Sequence, residues 1–104
     1  MNNSKLLTDM GLAKRAGKLI YGYDTVCNAL RTGKARLVIT ACDLSAKTAE
    51  NIEFACRRYK VPSVRIEYTM QQMSAAVGKP AGVAAITDPG FVKLINGSIL
   101  GGTQ

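Results

Sequence analysis

The chain contains no histidine and no tryptophan, and the first absence removes much of the common catalytic machinery. Without histidine there is no Ser-His-Asp triad, no Cys-His dyad, no HExxH helix and no mixed Cys/His zinc site. Cysteine is scarce too: Cys27, Cys42 and Cys56 stand fifteen and fourteen positions apart, with no CxxC pair to hold a metal or run a redox cycle. An odd count without an export signal points to a reducing cytoplasm, where thiols pack as small apolar groups. The start, Met1-Asn2-Asn3-Ser4-Lys5, lacks the apolar core of a signal peptide. No apolar run approaches the roughly 20 residues of a membrane span. The carboxylates Asp43, Glu50, Glu53, Glu67 and Asp88 are scattered, with no nucleophile elbow beside them. These absences lead us to expect a cytoplasmic protein with no cofactor, no metal and no catalytic residues.

What is present is enough for one core. The chain has 104 residues, 47% hydrophobic and 20% charged, which suits a single domain that folds without disulfides. Fourteen Lys+Arg against seven Asp+Glu give a net charge of +7. Polyanions are the natural partners of such a surface. No segment has the pattern of a membrane-lying basic helix, so nucleic acid is favoured over lipid.

Along the chain, short helices and short strands alternate. Ser4 opens a helix with Leu6, Leu7, Met10 and Ala13 at helical spacing, which Gly17 stops. Lys18 to Tyr21 reads as a strand, and Gly22-Tyr23-Asp24-Thr25 turns the chain into a second helix, closed by Thr32-Gly33. The run Leu37-Val38-Ile39 is apolar on both faces, as a central strand is. Ser45 caps a third helix with the stripe Ala49, Ile52, Cys56, Tyr59 and an i,i+4 pair Glu53–Arg57. After the strand Ser63–Ile66, Thr69 and Gln72 form a capping box for a fourth helix that ends at Gly78. Val83–Ile86 is a buried strand, and Asp88-Pro89 opens a last helix through Ile95. The pattern predicts a single-domain three-layer α/β/α sandwich over residues 1–96, helices covering both faces of a small mixed sheet of about four strands, with a fraying glycine-rich tail at 97–104.

Two features bear on function. Gly11 to Lys18 superficially resembles a phosphate loop, but five residues separate the glycines where four are needed and Leu19 replaces the Ser/Thr. It reads as a helix with its cap. Charge is uneven as well: residues 1–36 carry +5 of the net +7, with seven bases and two acids. In sequence these bases surround the Gly22 turn, where a helix N-terminus suits phosphate or base acceptors.

The stretches Gly11-Leu-Ala-Lys-Arg-Ala-Gly-Lys-Leu-Ile-Tyr-Gly22, Arg31-Thr-Gly-Lys-Ala-Arg-Leu-Val-Ile39, Val77-Gly-Lys79 and Val83-Ala-Ala-Ile-Thr-Asp-Pro-Gly-Phe91 together resemble the ribosomal protein family L-seven-Ae/L-thirty-e, in particular its bacterial YlxQ-like members. The resemblance implies an α/β/α sandwich that binds structured RNA, often the kink-turn, and has no enzymatic activity. It also implies an RNA-reading segment that starts at the glycine turn as Gly-x-Asn-Glu. Here that segment is Gly22-Tyr23-Asp24-Thr25-Val26-Cys27-Asn28, which retains the glycine but not the Asn, the Glu or the Lys that follows them. A second contact implied by the resemblance is the loop Gly78-Lys79-Pro80-Ala81-Gly82, which cradles unstacked bases. With Lys14, Lys18 and Lys34 expected to converge beside Lys79, the partner is a structured RNA, ribosomal or other, bound by a monomer with no DNA specificity and no membrane contact. The other reading left open is a protein-interaction module on the same fold.

Overall fold

The computed structural model describes residues 4–101. Nine elements alternate as α1 (Ser4–Arg15), β1 (Leu19–Tyr21), α2 (Tyr23–Arg31), β2 (Leu37–Thr40), α3 (Ala46–Arg58), β3 (Ser63–Arg65), α4 (Met70–Val77), β4 (Val83–Ile86) and α5 (Pro89–Gly101). The strands form one sheet in the order β1-β4-β2-β3, with β2 and β3 parallel and the other pairings antiparallel. This is the mixed four-stranded sheet expected.

Strand register divides the core in two. Leu19, Ile86 and Leu37 lie in line across the sheet and point to one face, as do Tyr21, Ala84 and Ile39. They pack with Leu6 and Met10 of α1, Met73 of α4 and Ile95 of α5. Ile20, Ala85 and Val38 point to the other face, against Val26 and Leu30 of α2 and Ile52 and Cys56 of α3. All four residues of β2 and of β4 are buried, as expected of inner strands, and the one polar residue among them, Thr40, donates its hydroxyl to Val64 O.

Caps set the helix bounds. The Ser45 hydroxyl accepts from the Thr48 N–H, Thr69 and Gln72 close the capping box, and Asp88 accepts from the Phe91 N–H at 3.0 Å. The Ser4 side chain, expected to cap α1, lies outside the described residues. Three other expectations are corrected. Tyr59 follows the last turn of α3 and is exposed rather than part of its buried stripe. Glu53 and Arg57 do not pair, whereas Lys5 and Asp9 of α1 do, at 3.1 Å. The last helix continues past Ile95 to Gly101, so residues 97–101 are helical rather than an irregular tail, and 102–104 lie outside the described residues. The continuation has a physical anchor, since Ser98 is buried and its hydroxyl donates to the Asp9 carboxylate of α1.

Two core groups give stability predictions. Among the described residues no group pairs with the buried Tyr68 hydroxyl, so Tyr68→Phe, which keeps the ring and removes the unsatisfied oxygen, should stabilise the fold by about 1 kcal/mol in chemical denaturation. Burial pushes the Cys56 thiol up to about 11 from its ordinary 9.0. The unfolded chain therefore gives up this proton first as pH rises, and stability falls between those two values. A stability–pH series should show the parent losing about 1–2 kcal/mol relative to Cys56→Ala across that window; parallel curves would contradict the assignment.

Candidate nucleic-acid interface

A strand of three residues runs from the end of α1 to the turn before α2, and Gly22 makes that turn. Its φ of 99° is a backbone conformation that side chains disfavour, although a Cβ there would meet nothing nearer than Thr25 Oγ1 at 3.9 Å. Backbone geometry, not packing, requires glycine, and the space beside the turn is open. Gly22 has no side chain to cap α2, so the first-turn N–H groups of the helix face outward at its positive dipole end. The Gly22 N–H donates to Val83 O at 2.9 Å, and the Ala41 N–H donates to Gly82 O at 3.0 Å. These two bonds bring the Gly22 turn and the connections 41–45 and 78–82 to the same end of the sheet.

The 78–82 loop is held from below. Ser74 Oγ accepts from the Ala81 N–H at 2.9 Å, Ala81 is buried, and Gly78, Lys79 and Pro80 are exposed. Gly82 is required by packing: a Cβ would come within 2.8 Å of Met70 and 3.2 Å of Leu44. Met70 itself is 39% exposed and its N–H is capped by Asp43 at 2.8 Å. Leu44 and Met70 therefore line this end with apolar surface beside the loop. Along α2, Asp24, Thr25, Asn28 and Arg31 are exposed on one stripe, with Arg31 donating to Asn28 Oδ1 at 2.5 Å. Tyr23 is exposed at the start of α2, and partial burial of its hydroxyl, with a smaller effect from Cys27, raises its pKa.

The expected convergence of bases is corrected. Lys14 does approach the turn, with Nζ 5.7 Å from the centroid of Tyr21, the residue before Gly22. Lys18 does not: its carbonyl accepts from the Thr87 N–H at the opposite end of β1, and four extended residues span about 13 Å. Lys34 follows α2, beside Arg36, whose N–H donates to Ile86 O at that same opposite end. The connections at the Gly22 end, residues 22, 41–45, 66–69 and 78–82, carry one base, Lys79, and two acids, Asp43 and Glu67. Asp24 adds a third acid in the first turn of α2. Nearness to Gly22 in sequence was misleading because the intervening residues form a strand.

Sequence reading also overlooked residues. Arg31 restores to the α2 stripe the positive charge that Asn28 lacks, and its three-residue spacing from Asn28 was a readable signal. The pair Leu44 and Met70 left no local signal, because only the tertiary fold brings them together over Gly82. Among the described residues no group of acids and cysteines could hold a metal ion, and no helix is long and apolar enough to cross a membrane.

Comparison with known proteins agrees with this geometry. The chain is 39% identical to the RNA-binding protein YlxQ of Bacillus subtilis over 89 residues, covering 84% of this chain and 88% of that protein. A solved structure of a Bacillus halodurans protein of unknown function superposes with a TM-score of 0.86 at 30% identity, covering 92% of this chain and 97% of the other. The Giardia lamblia 15.5kD RNA binding protein shares the fold, with a TM-score of 0.77 at 21% identity over 95% of this chain and 85% of that one. Residues 4–96, from the first turn of α1 into α5, match a single family throughout, and the chain belongs to the Ribosomal protein L7Ae/L30e/S12e/Gadd45 family.

Proposed function

We propose that this chain binds structured RNA at the Gly22 end of the sheet, as a monomer in the cytoplasm, with kink-turn-like motifs as the preferred class and ribosomal RNA as one source of them. The observation that carries the reading is the Gly22 N–H to Val83 O bond, which sets the open end of α2 beside the 78–82 loop. The description of the Bacillus subtilis relative as an RNA-binding protein supports the same reading.

The division of labour follows from the chemistry. The first-turn N–H groups of α2 and the ammonium of Lys79 meet phosphate oxygens, which set position without reading sequence. Thr25 and Asn28 present hydroxyl and amide groups to base edges. Leu44, Met70 and Pro80 form an apolar margin for bases removed from the stack. Asp24 works against this, since a carboxylate in the first turn of α2 repels the phosphate that the helix end attracts. Recognition here depends on shape and hydrogen bonding more than on net charge.

Two measurements test it. The double change Asp24→Asn with Thr25→Glu supplies an amide and a longer acceptor, and should increase the preference for a kink-turn RNA over a plain duplex by about 1–3 kcal/mol in competition titrations. An unchanged preference would remove this turn from the interface. Lys79→Ala should weaken kink-turn and duplex RNA alike and lower the slope of log affinity against log salt by about one unit. If the slope stays the same, Lys79 does not meet phosphate.

A further inference from the structure

The other end of the sheet has the opposite electrostatic character. Its connections, residues 16–18, 32–36, 59–62 and 87–88, hold four bases, Lys18, Lys34, Arg36 and Lys60, and one acid, Asp88. All four bases are exposed, and among the described residues none of their side chains has a hydrogen bond or an ion pair. Asp88 is occupied in capping α5. The three helices that end here, α1, α2 and α3, each bring roughly half a negative charge at their carboxyl ends. Arg15, Arg31, Arg57 and Arg58 in their last turns already oppose it. The bases of the connections are therefore surplus to what the helix ends require.

They also frame a shaped site. Arg36 and Lys60 line an open cleft of about 340 Å³ together with Val61, Pro62, Pro89 and Val92. Lys18 and Arg36 flank Thr87 on neighbouring strands. Lys60 is the one non-glycine residue with positive φ, at 58°, among the described residues. That position closes α3, where glycine fits at least steric cost. A glycine there would have no cation to offer the cleft.

We infer that this end is a second RNA-binding surface: Lys18, Lys34, Arg36 and Lys60 hold the phosphodiester backbone of a separate RNA segment, with its ribose in the cleft lined by Arg36, Lys60 and Val92. The chain then joins two RNA segments, one at each end of its strands. The inference builds on the proposed RNA binding at the Gly22 end, but its chemistry is distinct. The second surface is electrostatic and indifferent to sequence, so it supplies most of the salt dependence of binding.

The test uses the full chain with Arg36→Ala/Lys60→Gly, and Asn28→Glu/Lys79→Glu as the counterpart at the Gly22 end. Glycine at position 60 suits the observed φ, so thermal melting should show the first variant folded. With kink-turn RNA immobilised, the parent should recruit a fluorescent plain RNA duplex. The Arg36/Lys60 variant should stay on the immobilised RNA with its affinity changed less than about two-fold, yet recruit about ten-fold less duplex. Equal recruitment by this variant, or none by an immobilised parent, overturns the inference. If the parent fails to hold the kink-turn RNA, the reading of the Gly22 end fails. Anisotropy with free duplex then decides the second surface, and only the Arg36/Lys60 variant should be weakened. Binding of polyglutamate through Arg36 and Lys60 without binding of duplex would overturn it in favour of an acidic protein partner.

Discussion

Every feature of this molecule depends on burying both faces of a sheet whose strands are only three or four residues long. A strand that short offers one or two side chains to each face, so β1, β2 and β4 must hold their apolar residues in register with one another, while the edge strand β3 is largely exposed. Line by line, Leu19–Ile86–Leu37 and Ile20–Ala85–Val38 meet that demand on opposite faces. Small residues complete it: Ala84 and Ala85 are fully buried in β4, which lets helices approach the sheet closely from both sides. A one-residue slip of β4 would exchange its two faces and empty both clusters at once.

The same constraint sorts the connections. Because β1, β2 and β3 are entered from one end and β4 from the other, the eight connections fall into two groups of four at opposite ends. One group contains the positive-φ turn at Gly22 and the glycine loop; the other contains the unpaired bases and the cleft. Short strands keep the two groups about 13 Å apart in backbone terms, so neither is isolated from the other by a large body of protein. The connections at the two ends nevertheless carry different chemistry, two acids and one base with apolar side chains at the Gly22 end, and four bases and one acid at the other.

Legibility in the sequence follows the range of the interactions involved. The caps at Ser45, Thr69 and Asp88 are bonds over three residues, and each was readable from its spacing. Inner strands were readable from the unbroken apolar runs Leu37-Val38-Ile39 and Val83–Ile86. The extension of α5 was not, because Ser98 is held by Asp9 across 89 positions and Gly97 looked like an ending. The site shows the same limit. Gly22 and the 78–82 loop were readable as pieces through the family resemblance, while the separation of Lys18 and Lys34 from Gly22 required knowing that β1 is extended and α2 runs back along the sheet. Charge counted along a chain says little about charge gathered at a surface.

The Asp9–Ser98 contact has a further consequence. It places the first and last helices of the fold in one layer, against the same face of the sheet. Anything attached through either terminal helix is therefore held on the α1/α4/α5 side, while the layer of α2 and α3 lies on the opposite face. Tethering through one terminal helix or the other leaves the molecule presenting the same face outward, and a larger assembly anchored in this way would have a fixed orientation with respect to both ends of the strands.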